Sequence, residues 1–182
     1  HVEVGSPGTI VSALLDGQVD LGIAFSLSPH PELRQVAVAH FPVGAVVRPD
    51  HPLAALRTVA VEDCVACRLI LPTRTLSLYR VMEPMLRPWQ DRLDVVLRTG
   101  SIELTNRMVQ AGAGLAFQSP LALGTWPGSG LCHVPLRDTR AMTGLGAYVR
   151  DSRWLPPLLE TVIGELRVEL GRVQDMGEER MA

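Results

Sequence analysis

A helix end joined to a buried strand decides the fold: LLDGQVDLGIAF, residues 14–25. Leu14 closes an apolar helical face, and Gly17 is the residue type at which helices most commonly end. From residue 19 to residue 25 the chain is apolar except at Asp20, which is typical of a strand covered on both faces. The stretch therefore predicts an α/β fold in which helices pack on a sheet.

The same alternation of strands and amphipathic helices continues along the chain and predicts parallel sheets with crossover helices. Pro84 should end or kink the helix that contains it. Strands are expected at residues 2–4, 19–25, 36–39, 43–47, 69–71, 93–97, 115–117, 131–136 and 145–149. Helices are expected at residues 10–15, 61–64, 78–86, 102–111 and 158–170, followed by a polar tail, 171–182, that should fray.

The bulk composition excludes several classes of protein. With 182 residues and 47% hydrophobic content, the chain can bury a core as one domain or two small lobes. Its 17 basic and 19 acidic residues give no basic face for DNA, so this segment alone should bind DNA poorly. No apolar run approaches the roughly 20 residues that span a bilayer, and no export signal is visible at the N-terminus. These features predict a cytoplasmic chain that does not bind membranes.

The cysteines leave two interpretations open. Cys64, Cys67 and Cys132 are odd in number, which argues against a disulfide framework and fits a reducing compartment. Cys64 and Cys67 form a C-x-x-C, the spacing of redox motifs and of half a zinc site, but no second pair follows to complete four ligands. Small cysteines in a structural turn are favoured over a redox or metal role, and no metal site or cofactor is expected.

A repeated local pattern predicts a ligand site. At residues 5–9, 72–77 and 99–101 a strand is followed by Gly, Ser, Thr or Pro residues and then by a helix. In open α/β sheets, ligands bind outside the carboxyl ends of strands, where helix starts present unpaired N–H groups. The pattern indicates a site for a small polar or anionic molecule. The alternative is that these are the ordinary helix caps of any α/β protein.

Several segments together resemble the effector-binding domain of LysR-type transcriptional regulators. No segment is specific alone, but their order and spacing cover roughly residues 1–170. They are LLDGQVDLGIA (14–24), HPLA (51–54), SIE (101–103) followed by VQAGAGLAF (109–117), and VPL (134–136) followed by RWLPP (153–157).

The resemblance implies a two-lobed fold like that of type 2 periplasmic binding proteins, with Rossmann-like lobes joined by two crossings and a small-molecule effector in the cleft. Lobe I is expected at residues 1–48 and 137–170, and lobe II at 49–136, with crossings near 40–50 and 117–136. The family's first strand and first helix, and its DNA-binding winged helix-turn-helix, are expected to be absent from this chain. A homodimer or tetramer is expected, with promoter DNA bound only through the missing N-terminal domain.

The resemblance also places candidate effector-binding residues at the strand-to-helix turns, after the second strand, and at a return crossing that contains residues 117–119. For Arg74 the alternative is a solvated loop arginine, and for Phe117 it is an ordinary core position. The candidates are Ser6, Gly8, Thr9, Phe25 and Ser26 in the first lobe, and Pro72, Thr73, Arg74, Thr75, Thr99, Gly100, Ser101, Ile102, Phe117, Gln118 and Ser119 in the second.

Catalysis has little support in the sequence. The histidines at positions 1, 30, 40, 51 and 133 are scattered, and no Ser or Cys lies in a nucleophile elbow. We therefore expect no enzymatic activity. The alternatives are a solute-binding protein of a transporter and, after it, a small enzyme with a redox site at Cys64 and Cys67.

Overall fold

The chain forms two compact units. The computed structural model describes residues 2–124, 130–137, 141–151 and 154–179. Unit 1 contains the chain up to His40 and again from Gly144, and unit 2 runs from Phe41 to Thr143. Unit 2 is larger at both ends than the expected range 49–136, because the strand that follows residue 43 pairs inside unit 2 and Val43 N–H donates to Ala141 O (2.6 Å).

The elements alternate as the sequence predicts, with differences at both ends. The helices are α1 (Pro7–Leu15), α2 (Val61–Val65), α3 (Ser77–Leu86), α4 (Ile102–Gln110), α5 (Leu121–Gly124) and α6 (Pro157–Glu179). The strands are β1 (Gly22–Phe25), β2 (Leu33–Pro42), β3 (Gly44–Val47), β4 (Arg68–Pro72), β5 (Asp94–Thr99), β6 (Leu115–Gln118), β7 (Cys132–Pro135) and β8 (Met142–Arg150). Short 3-10 turns cover Pro52–Ala55 and Arg87–Arg92.

Two local expectations are corrected, those for residues 2–4 and for the tail. Residues 2–4 are not a strand, since they pair with no strand among the described residues and Val2 and Val4 are 89% and 99% exposed. The tail expected at 171–182 is helical as far as Glu179, because α6 continues through Gly171; residues 180–182 lie outside the described part. Pro84 lies inside α3, which ends two residues later at Leu86. The predicted ranges also include residues 125–129, 138–140 and 152–153, which are not described.

Unit 1 contains a three-stranded sheet in the order β1-β8-β2, with β1 and β8 antiparallel. Helix α1 packs on it through Leu14, which is fully buried against Ala24 and Tyr148. Gly22 permits this packing, because a Cβ there would lie 2.7 Å from Ile10. Helix α6 contributes Arg167 and Gln174, which bond the backbone of β2 at Val36 O (2.8 Å) and His40 N–H (3.0 Å).

Unit 2 is built on a five-stranded sheet in the order β5-β4-β6-β3-β7. Strands β5, β4 and β6 are parallel, as the alternation predicts, whereas β3 pairs antiparallel with β6 and β7. One face carries a core that includes Leu71, Met82 of α3 and Phe117. The other face packs Ile70 and Ala116 against Val109 of α4. Because β5, β4 and β6 are parallel, their carboxyl ends meet at one edge.

No helix in the described ranges combines the length and apolar character needed to cross a bilayer.

Candidate functional site

Two of the predicted strand-to-helix turns lie side by side in unit 2. The last residues of β4 and β5, Pro72 and Thr99, are paired in register. Immediately beyond them, Thr73 N–H donates to Thr99 O at 3.2 Å. A Cβ on Gly100 would lie 3.7 Å from Thr73 Oγ1, so the two turns are in close contact. The sequence-predicted residues at 72–75 and 99–101 therefore form one cluster.

Hydroxyl groups face one another in the turn after β4. Thr73 Oγ1 and Thr75 Oγ1 are 3.3 Å apart, and either can be the donor. Thr73 is half-buried, whereas Thr75 and Arg74 are exposed. Leu76 N–H donates to Thr73 O at 3.1 Å and closes the turn before α3. The backbone of the turn is thus closed by a hydrogen bond, and its threonine side chains are half-buried or exposed.

Ser101 caps helix α4 at the same edge. Its Oγ accepts from Leu104 N–H (3.1 Å), and Ser101 N–H donates to Thr99 Oγ1 (3.1 Å). Thr105 Oγ1 donates to Ser101 O at 2.9 Å, which fixes the cap from the helix side. The first N–H groups of a helix have no intrahelical partner and carry the positive end of its dipole. The start of α4, where Ile102 is 50% exposed, is therefore a favourable place for an anion.

Gln118 ends β6 at the same edge and Ser119 follows it; both are buried, 5% and 6% exposed. His133 of β7 bonds to this segment: its Nε2 lies 3.1 Å from Gln118 O. Because a carbonyl oxygen can only accept, the Nε2–H of His133 is the donor. Burial lowers the pKa of His133 to about 4, although the bond to Gln118 acts in the opposite direction. His133 is thus neutral at pH 7 and holds the end of β6. Nothing in the sequence marked His133, because only the folded sheet brings β7 beside this carbonyl.

The remaining unit 2 candidates differ in position. Phe117 is 1% exposed and packs in the core, on the sheet face opposite α4. This agrees with the alternative that Phe117 is an ordinary core position. A cationic residue that the sequence did not suggest, Arg98, precedes Thr99, and its guanidinium lies 5.7 Å from the centre of the Tyr79 ring. Arg98 and Tyr79 belong to no sequence motif. Arg98 is related to the cluster only by its position in β5, one residue before Thr99.

The unit 1 candidates form a capped helix start and a strained turn. Ser6 Oγ accepts from Thr9 N–H (3.2 Å) and lies 2.8 Å from Thr9 Oγ1, and Gly8 is exposed beside them. Ser26, after the half-buried Phe25, has φ 41°, which a residue other than Gly adopts only when its surroundings hold it. Ser26 Oγ accepts from the N–H of Gly144 at 3.1 Å and donates to its carbonyl at 3.2 Å.

The cysteine residues lie away from these turns, in and beside the core of unit 2. Burial raises the pKa of Cys64 to about 12, and the pKa of Cys67 is raised as well, mainly by burial. Cys67 Sγ is 3.9 Å from His51 Nε2 and donates to Asp63 O at 3.8 Å. In the described part of the chain, no three His, Cys, Asp or Glu residues are grouped so that they could hold a metal ion.

The chain is an α/β protein of two units with polar helix starts at the carboxyl edge of a parallel sheet. Proteins of this class commonly bind ligands at that edge. Residues 1–171 match the family model described as the LysR substrate binding domain. The chain belongs to this family, which confirms the resemblance found in the sequence.

Individual relatives and structures agree with this assignment. The regulator MetR of Escherichia coli (strain K12) is 27% identical over 161 residues, 85% of this chain and 49% of MetR. HinK, a LysR family regulator from Pseudomonas aeruginosa, has a TM-score of 0.80 at 18% identity, covering 95% of this chain and 60% of HinK. The effector-binding domain of QuiR in complex with shikimate has a TM-score of 0.72 at 13% identity, covering 92% of this chain and 79% of the QuiR chain. The two-lobed fold is thereby confirmed, and the chain spans about half the length of MetR.

Proposed function

We propose that this chain is the ligand-sensing part of a LysR-type transcriptional regulator and binds a small polar or anionic effector at the carboxyl edge of the unit 2 sheet. The observation that carries the proposal is the convergence of Thr73, Thr75 and Ser101 around the paired ends of β4 and β5. QuiR, which has the same fold, binds shikimate, a small carboxylic acid.

The chemistry of the cluster favours an acid group. Hydroxyls of Thr73 and Thr75 can donate to a carboxylate, and the N–H groups at the start of α4 add donors and a favourable dipole. Arg74 is exposed in the same turn, and a guanidinium can bind a carboxylate through two parallel hydrogen bonds. The ligand would therefore be bound mainly by donors, which selects for an anion.

The helix start of unit 1 is a separate part of the proposal. Ser6 and Thr9 repeat the arrangement of Ser101 and its cap, because a serine accepts from the N–H three residues later in both. We expect Ser6→Ala and Thr9→Ala to weaken effector binding. If both variants bind like the parent protein, the ligand is held by unit 2 alone.

The properties of the full-length protein are proposals that rest on family membership. We propose a cytoplasmic homodimer or tetramer without enzymatic activity, which binds promoter DNA through another part of the protein. The balance of 17 basic and 19 acidic residues supports placing the DNA contacts elsewhere. Light scattering that finds only monomer at high concentration would contradict the oligomer.

A thermal-shift screen tests the binding function. A ligand that binds the folded state stabilises it by mass action, about 2.7 kcal/mol at a hundredfold excess over Kd. Small carboxylates, sugars and aromatic acids form the panel, and we expect the stabilising compounds to be acids. Thr73→Ala and Ser101→Ala should reduce the shift for any compound that stabilises the parent protein. A panel without a stabilising compound, or one whose effects are unchanged in both variants, would refute the proposal.

A further inference from the structure

Two amide side chains are buried beneath the start of α4. Gln118 is 5% exposed and Asn106 is 8% exposed. The amide oxygens of both, Oε1 of Gln118 and Oδ1 of Asn106, have no hydrogen-bond partner among the described residues. Buried polar atoms in folded proteins are bonded in the large majority of cases, so two such acceptors in one region call for a hydrogen-bond donor that the described residues do not supply.

The two residues lie on the same face of the unit 2 sheet. Ala116 of β6 packs against Val109 of α4, and side chains two residues apart on a strand share a face, which places Gln118 on the α4 side. Asn106 precedes Val109 by one helical turn. Because α4 connects the parallel strands β5 and β6, it runs opposite to them and begins at their carboxyl edge. Asn106 and Gln118 are therefore on the side of the hydroxyl cluster.

The orientation of the Asn106 amide is determined by its neighbour. Its Nδ2 donates to Ala122 O at 3.0 Å, so the opposite end of the amide is the oxygen. The backbone of Gln118 is also fixed, because its carbonyl accepts from His133 Nε2. The side chain of Asn106 and the backbone of Gln118 are thus held in place, and the amide oxygen of each residue has no partner among the described residues.

We infer that the amide oxygens of Gln118 and Asn106 form a subsite that accepts a hydrogen bond from the effector. This inference rests on the proposed function, because the acid group is held by the neighbouring donors of Thr73 and α4. A ligand that bonds both to the donors of Thr73 and α4 and to the two amide oxygens carries a carboxylate and an O–H or N–H donor on the same small skeleton. The ligand class is therefore a hydroxy acid or an amino acid, in preference to an acid without a donor.

The stability of the ligand-free protein gives a test that needs no ligand. Gln118→Met keeps the length of the side chain and removes the orphaned acceptor, so we expect the Tm to rise by about 2–4 °C. Gln90→Met changes an exposed glutamine in the same way and should leave the Tm within about 1 °C. An unchanged or lower Tm in Gln118→Met would show that its amide is already satisfied and would overturn the inference.

Matched acids give the second test. Succinate, malate and aspartate share one carbon skeleton and differ by H, O–H and N–H at one carbon, as do propionate, lactate and alanine. In either series, calorimetric titration should show the hydroxy or amino acid binding at least about tenfold more tightly than its parent acid. Gln118→Met should reduce that preference below about threefold. Equal binding within a series, or a preference unchanged in Gln118→Met, would overturn the inference.

The two proposals fail in different ways. If no acid of either series binds and no compound of the thermal-shift panel stabilises the protein, the proposed function fails. The Tm of Gln118→Met still decides whether the Gln118 amide oxygen lacks a hydrogen-bond partner. If acids bind and Ser101→Ala weakens them while Gln118→Met does not, the acid site stands and the donor-accepting subsite is wrong.

Discussion

Replacing Ser101 by Asn and by Asp separates its role as a helix cap from its place beside the ligand. Ser101 Oγ accepts from Leu104 N–H at 3.1 Å, so alanine would remove a cap and cost about 0.5–2 kcal/mol of stability. Asn and Asp are caps as good as Ser. The two variants therefore keep α4 intact and differ from each other by a single charge.

The magnitude follows from the position of the cap. An aspartate at position 101 would stand about 4 Å from a carboxylate bound at the start of α4, and two such charges repel by about 1 kcal/mol in water and about 4 kcal/mol near a protein surface. This corresponds to an affinity lower by about fivefold to several hundredfold in Ser101→Asp than in Ser101→Asn. The difference should shrink at high salt, because Ser101 is exposed.

The assay is calorimetric titration of the strongest acid from the thermal-shift screen, with the Tm of each variant measured first. We expect both variants to unfold within about 2 °C of the parent protein and only Ser101→Asp to lose most of its affinity. Equal affinity in Ser101→Asn and Ser101→Asp, with intact folds, would refute the reasoning that an anion binds at the start of α4.

Three further predictions concern other residues of unit 2. Gly44→Ala should lower the free energy of unfolding in urea by about 1–3 kcal/mol. The reason is that a Cβ would lie 2.5 Å from Val134 O and 2.6 Å from the His133 ring. A smaller loss would show that β7 can move away from β3. Burial lowers the pKa of His133 from 6.5 to about 4, so between pH 6.5 and pH 4 the unfolded chain binds more protons than the folded protein. The stability that is present above pH 6.5 should therefore be lost as the pH falls toward 4. His133→Gln should reduce this loss between pH 7 and 5, and an identical pH profile would contradict the assignment. Replacing Cys64 and Cys67 together by Ala should change effector affinity less than about threefold, and stoichiometric zinc in the parent protein would instead support a metal site.

The sequence predicts local structure and the turns around the cluster well, because these depend on neighbouring residues. Gly17 does end a helical region with φ 68°, and Ser6 and Ser101 cap helices at the positions that their spacing indicated. The closeness of Thr73 to Thr99 also agrees with the sequence pattern, since both lie at the carboxyl ends of strands expected to be parallel. What decides the helix end and the two caps lies within a few residues along the chain.

Features that depend on contacts between distant strands could not be predicted. The neutral state of His133 arises from its burial, which outweighs the opposite effect of the Gln118 carbonyl that the sheet order β6-β3-β7 brings near it. The orphaned oxygen of Asn106 likewise depends on the Ala122 carbonyl, sixteen residues away. Residues 2–4 have the composition of a strand but are not in a strand in the structure. Strand propensity reports how well a residue fits a sheet and does not show that a neighbouring strand is present.

A crystal structure of the protein with the strongest-binding acid tests the central claim most directly. The account predicts the acid group within about 3.2 Å of N–H groups in the first turn of α4 and of a hydroxyl of Thr73 or Thr75. It also predicts a donor of the ligand at Gln118 Oε1. An acid group bound elsewhere, out of hydrogen-bond reach of both turns, would contradict it.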